Sequence, residues 1–198
     1  YSSFQGLRLM QESFPVLNPK VATICYGWND HWAAGFDIED KEQKSAPEWI
    51  LAVQNVCSRS YVYRSAKYLL LSRSEKSREY TFNKQSPKYR VSLADYEQNL
   101  RAIIALCRER GTVPVLITSP AGDSDPEVVN AMEAYHERYN EVVRQLAVEL
   151  AVPLVDAAAL IGRRREYFDD PAADFIHYNA RGAAVIADSV ARIVLEIH

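Results

Sequence analysis

Val21-Ala22-Thr23-Ile24-Cys25-Tyr26, followed at once by Gly27-Trp28-Asn29-Asp30, is the most informative stretch of the sequence. The first run is short, apolar and β-rich, which is typical of a strand buried on both faces of a parallel sheet. The second run is led by glycine and rich in polar side chains, so it predicts a loop at the carboxyl end of that strand. Ligands of open α/β sheets bind at this edge. The stretch therefore predicts an α/β domain with its site on this loop.

Helical and strand patterns alternate along the rest of the chain. Such alternation implies right-handed crossovers and a parallel sheet covered by helices on both faces. The polar residues 72–90 predict a surface insertion within a single domain spanning residues 1–198. Apolar spacing, caps and breakers predict helices over Ser3–Leu17 and beginning near Pro47, Ser92, Asp125 and Asn179, and further strands over Val113–Thr118 and Val152–Asp156.

The composition excludes several classes of protein. Of the 198 residues, 48% are hydrophobic and 25% charged, which suits one folded domain and not a disordered chain. A net charge of −3 gives no field that would attract nucleic acid or an anionic membrane, and no apolar stretch is long enough to span a bilayer. Three cysteines do not form a disulfide framework. Cys25 and Cys107 are predicted to be small core residues, and Cys57 is left open.

A second polar cluster, Asp174-Phe175-Ile176-His177, lies just before the C-terminal helix and can reach the same sheet edge. In this order and context, it and the Gly27–Asp30 loop resemble the fifth and third sequence blocks of the SGNH hydrolase (GDSL-like lipase/esterase) family. Tyr1–Gly6 resembles the tail of that family's second block. The resemblance spans nearly the whole chain. It implies a three-layer α/β/α, flavodoxin-like fold and serine-dependent hydrolysis of carboxylic esters, of short acyl chains or acetyl groups, with no cofactor.

The resemblance also implies roles for individual residues. His177 would be the base that takes the serine proton, and Asp174 would orient its ring and stabilise the imidazolium. Asn29 would donate its side-chain amide to the oxyanion. Apart from the resemblance, we expect the substrate, a small-molecule or carbohydrate acyl ester, to meet the pocket residues Trp28, Asp30, Trp32 and Ser2, with simple packing as the alternative for the two tryptophans.

The chain also departs from the family pattern. The nucleophilic serine and the oxyanion glycine of the first two blocks are expected upstream of Tyr1. Only the last three of the family's five strands are expected here, so an N-terminal segment of the same protein would complete the sheet and cover an unpaired edge. Gly122-Asp123-Ser124 does follow a strand. We interpret it as a polar turn, because Ser124 as nucleophile would require a rearranged strand order.

Other interpretations of these residues remain open at this point. Asn29 could cap a turn, and His177 could be an ordinary histidine at a helix start. No two histidines lie at ligand spacing in the sequence, which argues against a metal site. The Arg163–Arg165 run is interpreted as a solvated loop, with anion binding as the alternative. The same site could transfer an acyl group to a carbohydrate hydroxyl, or the domain could be a binding module with a degenerate site.

Overall fold

The computed structural model describes residues 1–32, 34, 38–43, 48–75, 88–122, 126–172 and 174–197. The chain divides into two compact units, one comprising residues 1–41 and 88–198 and the other residues 42–87. All of the predicted site residues belong to the first unit, which we call the main unit. The prediction of one domain with an insertion at 72–90 stays a prediction.

Helices and short strands alternate in the main unit, as the sequence patterns predict. Short 3₁₀ turns lie at Asp40–Glu42 and Arg165–Tyr167. The helices and strands of the described chain are, in order, α1 (Ser3–Leu17), β1 (Val21–Ile24), α2 (Glu48–Cys57), α3 (Tyr61–Glu75), α4 (Leu93–Glu109), β2 (Val113–Ile117), α5 (Pro126–Glu149), β3 (Leu154–Val155), α6 (Ala157–Ile161) and α7 (Ala180–Ile197).

The three strands form a parallel sheet in the order β1-β2-β3. Val21 lies opposite Val113, and Leu116 lies opposite Leu154. One core packs around side chains of α1, α4 and α5, including Phe14, Leu100, Tyr139 and Leu146. A second core packs around α6 and α7, including Val155, Ile161 and Ile186. Two apolar clusters on one parallel sheet confirm the predicted α/β/α architecture.

Local side-chain chemistry sets the two helix starts that frame the site. Ser2 and Gln5 form a capping box at the start of α1, with each side chain accepting from the other residue's backbone N–H. Ser92 caps α4 by accepting from the backbone N–H of Asp95. Gly111, with φ of +68°, follows the end of α4 and turns the chain into β2. The predicted bounds of α1 and the predicted start of α4 are thereby confirmed.

The sequence patterns overstate the burial of β1. Thr23 and Cys25 are exposed, and Ile24 is the buried residue of the strand. The expectation that Cys25 is a core residue is therefore wrong, whereas Cys107 is fully buried as predicted. The physical reason is the position of β1 at the edge, because among the described residues it pairs only with β2. The third strand is also shorter than predicted, covering only Leu154–Val155.

The second unit contains α2 and α3. The apolar stripe predicted after Pro47 is present in α2, but its members Trp49, Val53 and Val56 are exposed. Part of the predicted insertion, residues 76–87, lies outside the described residues, and residues 88–90 belong to the main unit. None of the described helices has the length and apolar character that crossing a membrane requires.

Candidate active site

The imidazole of His177 is paired with the carboxylate of Asp174. The ring Nδ1 lies 2.8 Å from Oδ2 and 3.0 Å from Oδ1. Asp174 Oδ1 also accepts from the backbone N–H groups of Ile176 and His177. The same carboxylate therefore both closes the turn and orients the His177 ring. The hydrogen bond from His177 lowers the pKa of Asp174. Because Asp174 occupies Nδ1, Nε2 is left to face solvent, with no hydrogen-bond partner among the described residues.

The loop after β1 presents Asn29 to solvent. Gly27 begins the loop with φ of +140°, a conformation that side-chain-bearing residues rarely adopt. Its carbonyl accepts from the N–H groups of Asp30 at 3.0 Å and His31 at 3.2 Å, which closes a tight turn around Asn29. The side-chain amide of Asn29 is exposed and has no hydrogen-bond partner within the described chain. The turn is therefore held by backbone groups and Asp30, and Asn29 does not cap it.

Asp30 is buried beneath that loop and ties it to the start of α1. Its Oδ1 accepts from the backbone N–H of Ser3 at 2.8 Å and from the Ser3 hydroxyl at 2.5 Å, and its Oδ2 accepts from the Gly27 N–H at 3.1 Å. Asn99 donates to the Ser3 hydroxyl at 3.0 Å, which fixes the direction of the Ser3 proton. Burial raises the pKa of Asp30 to about 6, and the donors from Ser3 and Gly27 oppose that rise.

Ser2, predicted to border the pocket, is also fully buried. Its hydroxyl donates to Asp40 at 2.5 Å, and Arg90 pairs with the same carboxylate at 3.0 Å. Trp32 is 44% exposed. The pocket roles of Ser2, Asp30, Trp28 and Trp32 stay predictions. In the structure, Asp30 ties the loop to Ser3, Ser2 caps α1 and hydrogen-bonds Asp40, and Trp32 is the most exposed of the predicted pocket residues.

Trp28 connects the two predicted constellations. Its indole N–H donates to the carbonyl of Pro120 at 3.0 Å. Its ring meets the ring of Phe175 edge to face, with centroids 5.5 Å apart and planes at 73°. Phe175 lies between Asp174 and His177, and its carbonyl accepts from the N–H of Gly122 at 2.7 Å. The loop bearing Asn29 and the segment bearing His177 therefore pack against each other at one edge of the sheet.

The loop after β2 joins these parts, and its role is not predicted by the sequence patterns. His136 and Asn140, one turn apart on α5, both contact the Ser119 backbone. His136 Nε2 lies 2.8 Å from the Ser119 carbonyl, which also accepts from Asn140 at 3.0 Å, and Asn140 Oδ1 accepts from the Ser119 N–H at 2.8 Å. The inward face of α5 therefore includes the polar residues His136 and Asn140 as well as its apolar residues.

A buried histidine pair lies directly behind Trp28. His31 Nε2 and His136 Nδ1 are 2.8 Å apart, and the two side chains are 3% and 2% exposed. Burial lowers the pKa of His31 to about 3 and that of His136 to about 4. These residues lie far apart in the sequence, so local spacing carries no signal of the contact. The described residues contain no group of three or more His, Cys, Asp or Glu side chains that could hold a metal ion.

The remaining predicted features lie at the periphery. Arg163, Arg164 and Arg165 are all exposed, in agreement with a solvated loop. Gly122 is buried beside Phe168, whereas Asp123 and Ser124 lie outside the described residues, so the interpretation of that turn stays a prediction. Asn179 caps α7 by accepting from the N–H groups of Arg181 and Gly182.

Comparison with solved structures shows the same fold. A GDSL-like lipase from Bacteroides thetaiotaomicron VPI-5482 aligns with a TM-score of 0.60 at 12% identity, covering 100% of this chain and 73% of that one. A catalytic mutant of Axe2, an acetylxylan esterase from Geobacillus stearothermophilus, aligns with a TM-score of 0.58 at 17% identity, covering 97% of this chain and 67% of that one. Axe2 itself aligns with a TM-score of 0.54 at 19% identity, over 94% and 66% of the two chains.

Comparison with curated protein sequences gave no match. The sequence profile of the GDSL-like lipase/acylhydrolase family, in contrast, matches residues 2–185, which is most of the chain. That range includes the Gly27–Asp30 loop, the Asp174–His177 segment and the three strands found among the described residues. The chain therefore belongs to the GDSL-like lipase/acylhydrolase family.

Proposed function

We propose that this chain supplies the base, the orienting carboxylate and one oxyanion donor of a serine ester hydrolase. The observation that carries the proposal is the His177–Asp174 pair, with Nδ1 held at 2.8 Å and Nε2 left to face solvent. An imidazole in this tautomer can accept a proton from a hydroxyl at Nε2 while the carboxylate stabilises the resulting imidazolium. The packing of Phe175 on Trp28 supports a common site with Asn29.

In the proposed reaction, His177 Nε2 takes the serine proton as the hydroxyl oxygen attacks the ester carbonyl carbon. The carbonyl electrons move onto its oxygen, which accepts a hydrogen bond from the Asn29 amide. Collapse of this intermediate breaks the bond to the alkoxide, and the alkoxide takes the proton from His177. Water then attacks the acyl-enzyme by the same route, with His177 as base, and releases the acid and the serine.

We assign the nucleophile to a serine in polypeptide that precedes Tyr1. The hydroxyls of Ser2 and Ser3 are buried and donate to Asp40 and Asp30, so neither is available to attack an ester. Because Ser3 hydrogen-bonds Asp30, the chain reaches α1 directly beside the Gly27–Asp30 loop. The outer edge of β1, which has no strand partner among the described residues, is where an added parallel strand would pair.

Acetyl and other short acyl esters of carbohydrates are the proposed substrates. The likeness to an acetylxylan esterase supports acetylated xylo-oligosaccharide as the first substrate to assay, together with 4-nitrophenyl acetate. The complete protein should release acetate, and His177→Ala should lower kcat by at least about 10³-fold while leaving the melting temperature unchanged. Turnover unaffected by that substitution would refute the assigned base.

The same assay separates the other interpretations. An acyltransferase would form an acylated sugar in proportion to added acceptor, with acetate release suppressed. A non-catalytic binding domain would release no acetate, and its serines would not react with a fluorophosphonate probe even with Asn29, Asp174 and His177 intact. A matched control for Asp174→Asn is Asp169→Asn. Asp169 is an exposed carboxylate shortly before the Asp174–His177 segment and makes no side-chain hydrogen bond within the described chain.

A further inference from the structure

The buried histidine pair forms a hydrogen-bond chain with one defined arrangement of protons. The Ser119 carbonyl can only accept, so His136 Nε2, 2.8 Å away, carries the proton of that bond. In the neutral ring, His136 Nδ1 is then an acceptor, and His31 Nε2, also 2.8 Å away, must donate to it. These two hydrogen bonds thus connect the loop after β1, through α5, to the loop after β2.

The histidine pair is enclosed by aromatic side chains and shielded from water. The ring of His31 lies 5.3 Å from that of Tyr139 and 6.1 Å from that of Tyr135, measured between centroids. Burial lowers the pKa of both histidines, which keeps both rings neutral at physiological pH. Polar groups buried this deeply are tolerated when they are hydrogen-bonded, and here each ring is.

The residues on either side of Asn29 contact or belong to the histidine pair. The Trp28 indole stacks on His136 with centroids 3.8 Å apart and an interplanar angle of 13°. Gly27 lies so close to His136 that a Cβ added there would sit 3.3 Å from its Cε1. His31 itself ends the turn by donating its N–H to the Gly27 carbonyl at 3.2 Å. Because the Asn29 amide has no partner within the described chain, its position depends on these backbone neighbours.

We propose that His31 and His136 are positioning residues that hold the Asn29 amide where the oxyanion forms, an inference that rests on the proposed function. Neither histidine reaches solvent, so neither exchanges protons with substrate. Each acts through the backbone of the Gly27–His31 turn. The donor on His31 Nε2 is the chemical feature that matters, because it makes the bond between the site loop and α5.

Matched substitutions in the complete protein test this role. His31→Gln keeps an N–H donor near the Nε2 position, whereas His31→Leu removes the donor and keeps an apolar side chain of similar size. We expect His31→Leu to lower kcat by about 10- to 100-fold with KM nearly unchanged, and His31→Gln to stay within about threefold of the wild-type kcat. In an Asn29→Ala background, His31→Leu should lower kcat by less than about twofold, because the donor it positions is already absent.

A second measurement needs no activity. Hydrogen exchange of the Trp28 indole N–H, followed by ¹H–¹⁵N NMR, should be slow in the wild type and in His31→Gln, and at least about tenfold faster in His31→Leu. If His31→Leu does not fold, His136→Phe, which keeps an aromatic ring beside Trp28 but removes both the acceptor for His31 and the donor toward Ser119, should show the same losses. Wild-type kcat and wild-type exchange in His31→Leu or, if that variant does not fold, in His136→Phe would overturn the proposal, as would an equal loss of kcat with and without Asn29. If Asn29→Ala keeps full turnover, the oxyanion assignment fails, and the exchange rates still decide whether the pair holds the loop.

Discussion

The rings of Trp28 and Phe175 meet edge to face with 5.5 Å between centroids, and this contact joins the two halves of the candidate site. Trp28 belongs to the loop after the first strand, and Phe175 to the segment before the last helix. Asn29 directly follows Trp28, and His177 lies two residues after Phe175. Any change at this contact should therefore disturb the relative placement of the proposed oxyanion donor and the proposed base.

Substituting Phe175 tests that coupling. Phe175→Ala should destabilise the protein by about 1–3 kcal/mol, because the ring is only partly buried, and should lower kcat by about tenfold or more. Phe175→Leu, which keeps most of the apolar bulk, should lose less of both. Chemical denaturation and steady-state ester hydrolysis measure the two effects. Full activity in a destabilised Phe175→Ala protein would mean that the contact does not align the site.

Asp174→Asn tests the proposed role of Asp174 in orienting His177. An amide at this position can donate a hydrogen bond to Nδ1, which favours the wrong ring tautomer and leaves an imidazolium without its counter-charge. We expect kcat to fall by about 10²- to 10⁴-fold with little change in KM. The control Asp169→Asn should keep wild-type kinetics. Equal kcat values for the two variants would remove Asp174 from the proposed mechanism.

Gly27→Ala tests the turn that carries Asn29. The backbone φ of +140° is strained for alanine, and the added Cβ would approach His136 Cε1 at 3.3 Å. We expect a loss of about 1–3 kcal/mol in the free energy of unfolding together with reduced kcat. Gly111→Ala is the matched control, because Gly111 also has positive φ, at +68°, but an added Cβ meets nothing within 4 Å. It should cost about 1 kcal/mol of stability and leave kcat unchanged. A normal kcat in Gly27→Ala would contradict the account of the turn.

The buried histidines predict a specific pH dependence of stability. The pKa of His31 is lowered to about 3 and that of His136 to about 4 in the folded state, against an ordinary value of 6.5. Between pH 6.5 and 4, the unfolded chain therefore binds more protons than the folded chain, and both groups make stability fall as the pH falls. Asp30, whose pKa is raised to about 6, acts in the opposite direction, since its folded form binds the extra proton.

Comparison of the wild type with His31→Gln isolates the contribution of His31 to this pH dependence of stability. As the pH falls from 6 to 4, the wild type should lose about 1.4 kcal/mol per pH unit relative to His31→Gln in its free energy of unfolding, because glutamine does not titrate. Urea denaturation at several pH values gives these free energies. A difference that does not change with pH would show that His31 titrates alike in the folded and unfolded chains.

The sequence predicts the parts of this molecule that depend on local patterns. The bounds of α1 follow from the Ser2–Gln5 capping box and its apolar spacing, and the start of α4 follows from Ser92. The pairing of Asp174 with His177 follows from a spacing of three residues within one turn.

Features that depend on distant contacts are not predicted. The exposure of Cys25 follows from which strands flank β1, and a strand's own residues do not record its neighbours. His31 and His136 meet only because the turn after β1 and α5 converge, so the absence of histidines at ligand spacing in the sequence says nothing about this pair. The burial of Ser2 and Asp30 likewise depends on Asp40, Arg90 and Asn99, which come from other elements.

The most direct test is a crystal structure of the complete protein after reaction with a short alkyl fluorophosphonate, whose adduct mimics the tetrahedral intermediate. We predict one modified serine upstream of Tyr1, with the Asn29 side-chain nitrogen about 3 Å from the phosphonyl oxygen and His177 Nε2 about 3 Å from the serine oxygen. An adduct that lies away from either side chain, or a protein whose serines do not react at all, would contradict the account.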